Sequence, residues 1–176
     1  HMVQPKLVYI SNTTELGGIY TTAELEALRA ACDELGLWMY LDGARLGSAL
    51  DLGCTTFADL ARCCHAFSIG GTKNGALFGE ALVITEPALQ PDFRYILKQH
   101  GGLLAKGWLL GIQFEQLLQK DAALYLQLAG HANELAARLR QGIAALGYEF
   151  ASDSPSNQIF PILPDEILAQ MAGDFH

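Results

Sequence analysis

Ser68-Ile69-Gly70-Gly71-Thr72-Lys73-Asn74-Gly75 sets a single lysine among glycines, directly after the apolar run Ala66-Phe67-Ser68-Ile69. Upstream, Leu37-Trp38-Met39-Tyr40-Leu41 is another apolar run, stopped by Asp42 and followed by Arg45. A continuous apolar run of that kind is expected of a central strand covered on both faces. The segment from Leu41 to Ala66 is long enough for a helical crossover, so the two runs are expected to be parallel neighbours. Asp42 and Lys73 would then emerge together at the carboxyl edge of one sheet, where open α/β sheets bind ligands.

Working outward, Ala81-Leu82-Val83-Ile84-Thr85 is a further apolar strand, separated from Ile69 by a short segment with no helical pattern. A parallel return does not fit that distance, so this strand is predicted antiparallel, with the lysine in the connecting turn. On the amino-terminal side, Leu7-Val8-Tyr9-Ile10 reads as a strand and Asn12–Gly18 as a polar, glycine-ended loop. Thr21 with Glu24 forms a capping box for a helix carrying Leu25, Leu28, Cys32 and Leu35, and Gly36 stops it. Thr56 with Asp59 opens a short helix through about Cys64.

Beyond the antiparallel strand, Phe93, Ile96 and Leu97 mark a helix that His100-Gly101-Gly102 breaks. From Leu103 to about Leu128 the pattern is helical and apolar almost all round, which predicts burial on every side and, in a chain this size, a partner subunit. Ala132, Leu135, Leu139, Ile143 and Leu146 give a separate amphipathic helix ended by Gly147. Tyr148-Glu149-Phe150 and Ile159-Phe160-Pro161-Ile162-Leu163 read as two strands, and a last helix runs from about Asp165 to Ala172.

The 176 residues suffice for one core with part of a second, and half of them are apolar. A net charge of −8 with basic residues scattered singly argues against nucleic acid or a membrane surface as partner. No apolar run is long and uncharged enough to span a bilayer. Cys32, Cys54, Cys63 and Cys64 form no CxxC framework and read as reduced thiols of a cytoplasmic protein. Cys63-Cys64-His65 reads as core rather than a metal site, because adjacent cysteines point apart. His1-Met2 reads as an appended dipeptide, with natural sequence expected from Val3.

The chemistry follows from residue types. A lysine amine condenses with an aldehyde, and Gly70, Gly71 and Gly75 suit the close approach of a flat cofactor. The plain alternative is a solvated lysine in a glycine turn. The string lacks phosphate-loop spacing, and no GxGxxG fingerprint occurs. Asp42, ending an apolar strand, needs a partner. That partner is either Arg45, in a structural ion pair, or the protonated pyridine nitrogen of pyridoxal 5′-phosphate, whose ring then accepts electrons from a substrate carbanion. In the second case Arg45 is free for the cofactor's phenolic oxygen or a substrate carboxylate.

Leu41-Asp42-Gly43-Ala44-Arg45-Leu46 and Ile69-Gly70-Gly71-Thr72-Lys73-Asn74-Gly75, in that order, resemble the low-specificity L-threonine aldolase family of β-eliminating lyases. The resemblance continues through Asn12-Thr13-Thr14-Glu15-Leu16-Gly17, Lys98-Gln99-His100-Gly101-Gly102 and Ala105-Lys106-Gly107. It implies an α/β, aspartate-aminotransferase-type fold (fold type I), with a mostly parallel sheet and a small α+β domain following. Residues 1–127 would be part of the large domain, including a linking helix at about 103–128, and residues 128–176 the start of the small one. It implies Lys73 as the Schiff-base lysine, with Asp42, Arg45, Thr72 and Lys73 holding the cofactor and Arg45 also the substrate. The implied reaction is retro-aldol cleavage of a β-hydroxy-α-amino acid such as threonine to glycine and an aldehyde, in a homo-oligomer (dimer or tetramer).

Family members also carry a phosphate cup and a ring-stacking histidine that would precede Val3, and a substrate arginine that would follow the last residue. None of His1, His65, His100, His131 and His176 matches the stacking position. The chain is therefore expected to be part of such an enzyme and not to turn over alone. Two other readings stand beside this one: a non-catalytic, self-associating module, and a tryptophanase-like lyase performing β-elimination.

Overall fold

The computed structural model describes residues 2–173. Strand β1 (Leu7–Ser11) is followed by helix α1 (Thr22–Leu35), β2 (Trp38–Asp42), α2 (Leu46–Asp51), α3 (Phe57–Cys63), β3 (Ala66–Gly70) and β4 (Glu80–Ile84). Helices α4 (Phe93–Gln99), α5 (Trp108–Ala145) and α6 (Asp165–Met171) complete the chain. The four strands lie in sequence order in one sheet. β1, β2 and β3 are parallel and β4 is antiparallel to β3, as the spacing predicted. Ser11 pairs with Asp42 and Tyr40 with Ala66, which brings the carboxyl ends of β1, β2 and β3 to a common edge.

The capping signals act as read. The Thr21 hydroxyl accepts from the Glu24 N–H at 3.3 Å while the Glu24 carboxylate accepts from the Thr21 N–H at 2.8 Å. Gly36 closes α1 in the left-handed conformation, φ 63°. Thr56 and Asp59 repeat the box at the start of α3. These two helices cover one sheet face: Leu25 and Cys32 of α1 and Leu60 and Cys63 of α3 join Met39, Leu41, Phe67 and Ile69 in one buried cluster. Burying each such aliphatic side chain stabilises the fold by about 1.5–3 kcal/mol.

The other face departs from expectation. β2 is not covered on both sides: Met39 and Leu41 are fully buried, but Trp38 is 36 % exposed. Leu7, Tyr9 and Leu82, which share that face through the pairing register, are exposed too. Apolar composition alone does not reveal which face this chain covers.

The helix expected at about 103–128 is also corrected. It begins at Trp108 and is interrupted where Gln119 turns extended (ψ 158°) and Lys120, Asp121 and Ala122 take left-handed backbone. The second piece continues without a stop through residue 128 to Ala145, absorbing the separately predicted amphipathic helix. Hydrophobic periodicity does not register such a break, because the apolar side chains continue on both sides of it. Within this chain Phe114, Leu117 and Tyr125 of α5 are buried, while Trp108, Leu109 and Ile112 are exposed.

The two strands expected near residues 150 and 160 reduce to one antiparallel bridge, Phe150 with Pro161. Proline has no N–H to extend a ladder, and Pro161 sits at the pairing position. Helix α2, buried from Leu46 to Leu50, was not predicted; it has no side-chain cap and no polar face to give it a period. No helix among the described residues is long and apolar enough to cross a membrane.

Candidate active site

The carboxyl edge of the sheet opens into a cleft of about 240 Å³. Asp42, Ala44, Arg45 and Lys73 line one part of it, and Tyr9, Ser11, Thr13 and Glu15 the other. Asp42, Arg45 and Lys73, singled out from sequence, thus meet in one cleft. Thr72 does not line it; it lies exposed on the same turn as Lys73.

Asp42 is held at three atoms. Its main-chain carbonyl accepts the Asn12 N–H at 2.9 Å. Its Oδ1 accepts the Ala44 N–H at 2.9 Å, two residues on. Its Oδ2 accepts the Tyr9 phenol. Both donors to its carboxylate oxygens, a main-chain N–H and a phenol, are neutral. The hydrogen bond to Asp42, followed by burial, pushes the Tyr9 phenol up to about 12. Among the described residues no ion pair joins Asp42 to Arg45, so the plain structural pairing weighed from sequence does not form.

Arg45 stands at the amino end of α2, with its side chain lining the cleft. Glu15 faces it from the β1–α1 loop, accepting the Ser11 hydroxyl at 2.7 Å. That hydrogen bond holds its carboxyl below the usual range. The loop is tied down from the far end of the chain. Thr13 donates to Gln158 Oε1 at 3.0 Å, Ser152 to the Leu16 carbonyl at 2.8 Å, and Ser154 to the Gly17 carbonyl at 3.1 Å.

Lys73 sits in the turn between β3 and β4. The Gly70 N–H donates to the Gly43 carbonyl at 2.9 Å, and the Gly43 N–H to Ser68 Oγ at 3.0 Å. These bonds join the Asp42 loop to the strand that delivers the lysine. Tyr125, fully buried on α5, grips the turn twice. Its phenol donates to the Gly70 carbonyl at 3.0 Å, and its own carbonyl accepts Asn74 Nδ2 at 2.8 Å.

The glycines here also serve packing of the chain against itself. A Cβ on Gly70 would lie 2.5 Å from the Ala44 carbonyl, one on Gly71 2.8 Å from the Gly79 carbonyl, and one on Gly75 2.6 Å from Leu128. Sequence reasoning also passed over Tyr9, Ser11 and Glu15 as site residues. Alternation along β1 held the signal: Tyr9 and Ser11 share a face, and Ser11 is the register partner of Asp42.

A family profile described as beta-eliminating lyase matches residues 1–164. The low specificity L-threonine aldolase of Pseudomonas aeruginosa is 35 % identical, over 98 % of this chain and 48 % of its own length. The solved threonine aldolase of Leishmania major is 52 % identical with a TM-score of 0.95, covering 100 % of this chain and 52 % of that one. The L,L-diaminopimelate aminotransferase of Chlamydomonas reinhardtii, 13 % identical with a TM-score of 0.63, covers 96 % of this chain and 46 % of its own and shares the fold alone. The α/β architecture expected from sequence, a mostly parallel fold-type-I sheet with an antiparallel β4, is the one found. This chain spans about half the length of the curated relatives it matches.

Proposed function

This chain belongs to the beta-eliminating lyase family, and on that premise we propose that it supplies the lysine side of a pyridoxal-phosphate site cleaving β-hydroxy-α-amino acids such as threonine to glycine and an aldehyde. One observation carries the reading: Asp42, Arg45 and Lys73 converge on a single cleft at the carboxyl edge of the sheet. The donor set fits the cofactor's ring and aldehyde. Among the described residues neither Asp42 nor Lys73 is in an ion pair, which leaves the carboxylate for a protonated ring nitrogen and the amine for the aldehyde.

When bound, pyridoxal phosphate supplies an electron sink for a carbanion at the substrate's Cα. The chain's own groups do the rest. Lys73 would provide the amine that holds the cofactor through its aldehyde. Asp42 would hold the ring nitrogen in its protonated form. Arg45 presents a guanidinium to the phenolic oxygen or the substrate carboxylate, which orients the bond to be cleaved. Thr72, outside the cleft lining, is assigned through its place beside Lys73.

The reading extends to the assembly. Trp108 at 63 % exposure, with Leu109 and Ile112, leaves an apolar surface on α5 that suits a homo-oligomer. All four cysteines are free thiols, which suits a cytoplasmic enzyme. The division into a larger unit (residues 1–127) and a smaller one (residues 128–176) belongs to the same proposal.

The test is borohydride trapping with pyridoxal phosphate, followed by peptide mapping and product analysis in the full-length protein. We expect label on Lys73, its loss in Lys73→Ala, and glycine with acetaldehyde from threonine. 2-Oxobutyrate and ammonia as the products from threonine would move the reaction to β-elimination. Label spread over other lysines would overturn the site.

A further inference from the structure

We infer that Tyr9 is a positioning residue of this site: its phenol O–H, donated to Oδ2, fixes the Asp42 carboxylate at the mouth of the Lys73 cleft. The inference rests on reading Asp42 as the partner of the cofactor's ring nitrogen.

The sheet places the two groups. Ser11 pairs with Asp42 and Tyr9 with Tyr40, so Tyr9 and Asp42 are diagonal neighbours on one face of adjacent parallel strands. The Tyr9 ring is braced against Tyr40, with centroids 5.6 Å apart. Its hydroxyl therefore reaches along the sheet to the strand end. A carboxylate held at one oxygen can still turn about its Cβ–Cγ bond. Asp42 is held at both, Oδ1 by the Ala44 N–H and Oδ2 by Tyr9.

The donor type matters as much as its place. The other charged groups lining the cleft with Asp42 are Glu15, Arg45 and Lys73. A cation on Oδ2 would cancel the charge a protonated ring nitrogen requires, whereas a phenol orients the carboxylate and leaves it anionic. The phenol, pushed up to about 12, remains a donor throughout the neutral range. Tyr9 is also 56 % exposed, so its hydroxyl is not needed to satisfy a buried core. A residue kept for packing alone would do as well as phenylalanine.

The experiment compares Tyr9→Phe, Tyr9→Leu and Asp42→Asn with wild type in the full-length protein. Two readouts are taken: the titration of ¹³C-labelled Tyr9 without cofactor, and the dissociation constant for pyridoxal 5′-phosphate by equilibrium dialysis. We expect Tyr9 to titrate well above an ordinary tyrosine in wild type and to return towards about 10 in Asp42→Asn. We expect Tyr9→Phe to weaken cofactor binding about tenfold, the scale of a lost hydrogen bond to a charged group, with an unchanged melting temperature. Tyr9→Leu should weaken it at least as much. If Asp42→Asn weakens binding and Tyr9→Phe does not, the inference fails while the reading of Asp42 stands. If neither variant weakens binding, the reading of Asp42 fails and the inference with it.

Discussion

Tyr125→Phe tests whether α5 holds the lysine turn. Tyr125 is fully buried, its ring 6.3 Å from that of Phe57, and its phenol donates to the Gly70 carbonyl at 3.0 Å. Phenylalanine keeps the ring and its packing and removes that one donor. A single buried neutral hydrogen bond contributes about 0.5–1.5 kcal/mol net. For a chain of this length about 1 kcal/mol moves the melting temperature by roughly 2–4 °C. The variant should therefore melt a few degrees lower, with faster amide exchange confined to residues 70–76. Asn74→Ala removes the second grip, the 2.8 Å bond to the Tyr125 carbonyl. Because both bonds anchor the same turn, the double variant should depart from additivity by about 0.5 kcal/mol or more. Calorimetry and hydrogen exchange read both effects. There is a pH signature as well. Burial pushes the Tyr125 phenol above its ordinary value. A raised folded pKa gives stability that is complete below about pH 10 and is lost as pH rises beyond it. Tyr125→Phe should lose less stability than wild type in that alkaline range. Unchanged melting and unchanged exchange in Tyr125→Phe would refute the claim that this phenol anchors the turn.

Three further outcomes are expected. His65 is buried, with Nδ1 accepting the Met39 N–H at 2.9 Å, and burial holds its pKa below the ordinary value. The half-exposed Asp33, 3.8 Å from Nε2, pulls the other way but is too distant for a hydrogen bond, so burial wins. With a depressed folded pKa the neutral form is favoured: its stabilisation is present above about pH 6.5 and is lost as pH falls through the folded value. Urea titrations should show a shallower acid dependence below about pH 6.5 in His65→Ala, which will be less stable at neutral pH; parallel slopes would contradict the assignment. Gly43→Ala places a Cβ 2.0 Å from the Ser68 carbonyl, backbone that cannot yield. It should cost about 2–3 kcal/mol and loosen the Asp42 loop, read as a lowered urea midpoint. Thr21→Ala removes the capping box of α1 and should cost about 1 kcal/mol; a change within about 0.3 kcal/mol would show that tertiary contacts alone hold that helix end.

Local signals were the legible ones. Thr21 with Glu24, Gly36 and Thr56 with Asp59 each act within a few residues of themselves, and each does in the structure what its chemistry predicts. The short span between Ile69 and Ala81 likewise forced β4 antiparallel. The break in α5 escaped because the polar run Gln119-Lys120-Asp121 is only three residues long and the leucines on either side of it continue the helical pattern. The second hairpin escaped because Pro161, lacking an N–H, stands where a ladder would have to continue.

The sequence by itself determined the four strands of the sheet and their directions, the placing of Asp42 and Lys73 at one sheet edge, and the family, because strand ends and motif strings are local facts. Only the tertiary structure decided what those residues touch. It joined Tyr9 to Asp42 and Tyr125 to the lysine turn, left Arg45 out of the ion pair its spacing allowed, and packed the glycines closely against the rest of the chain. Those relations depend on contacts between segments tens of residues apart, and no local pattern encodes the register and crossing that bring such segments within a hydrogen bond of each other.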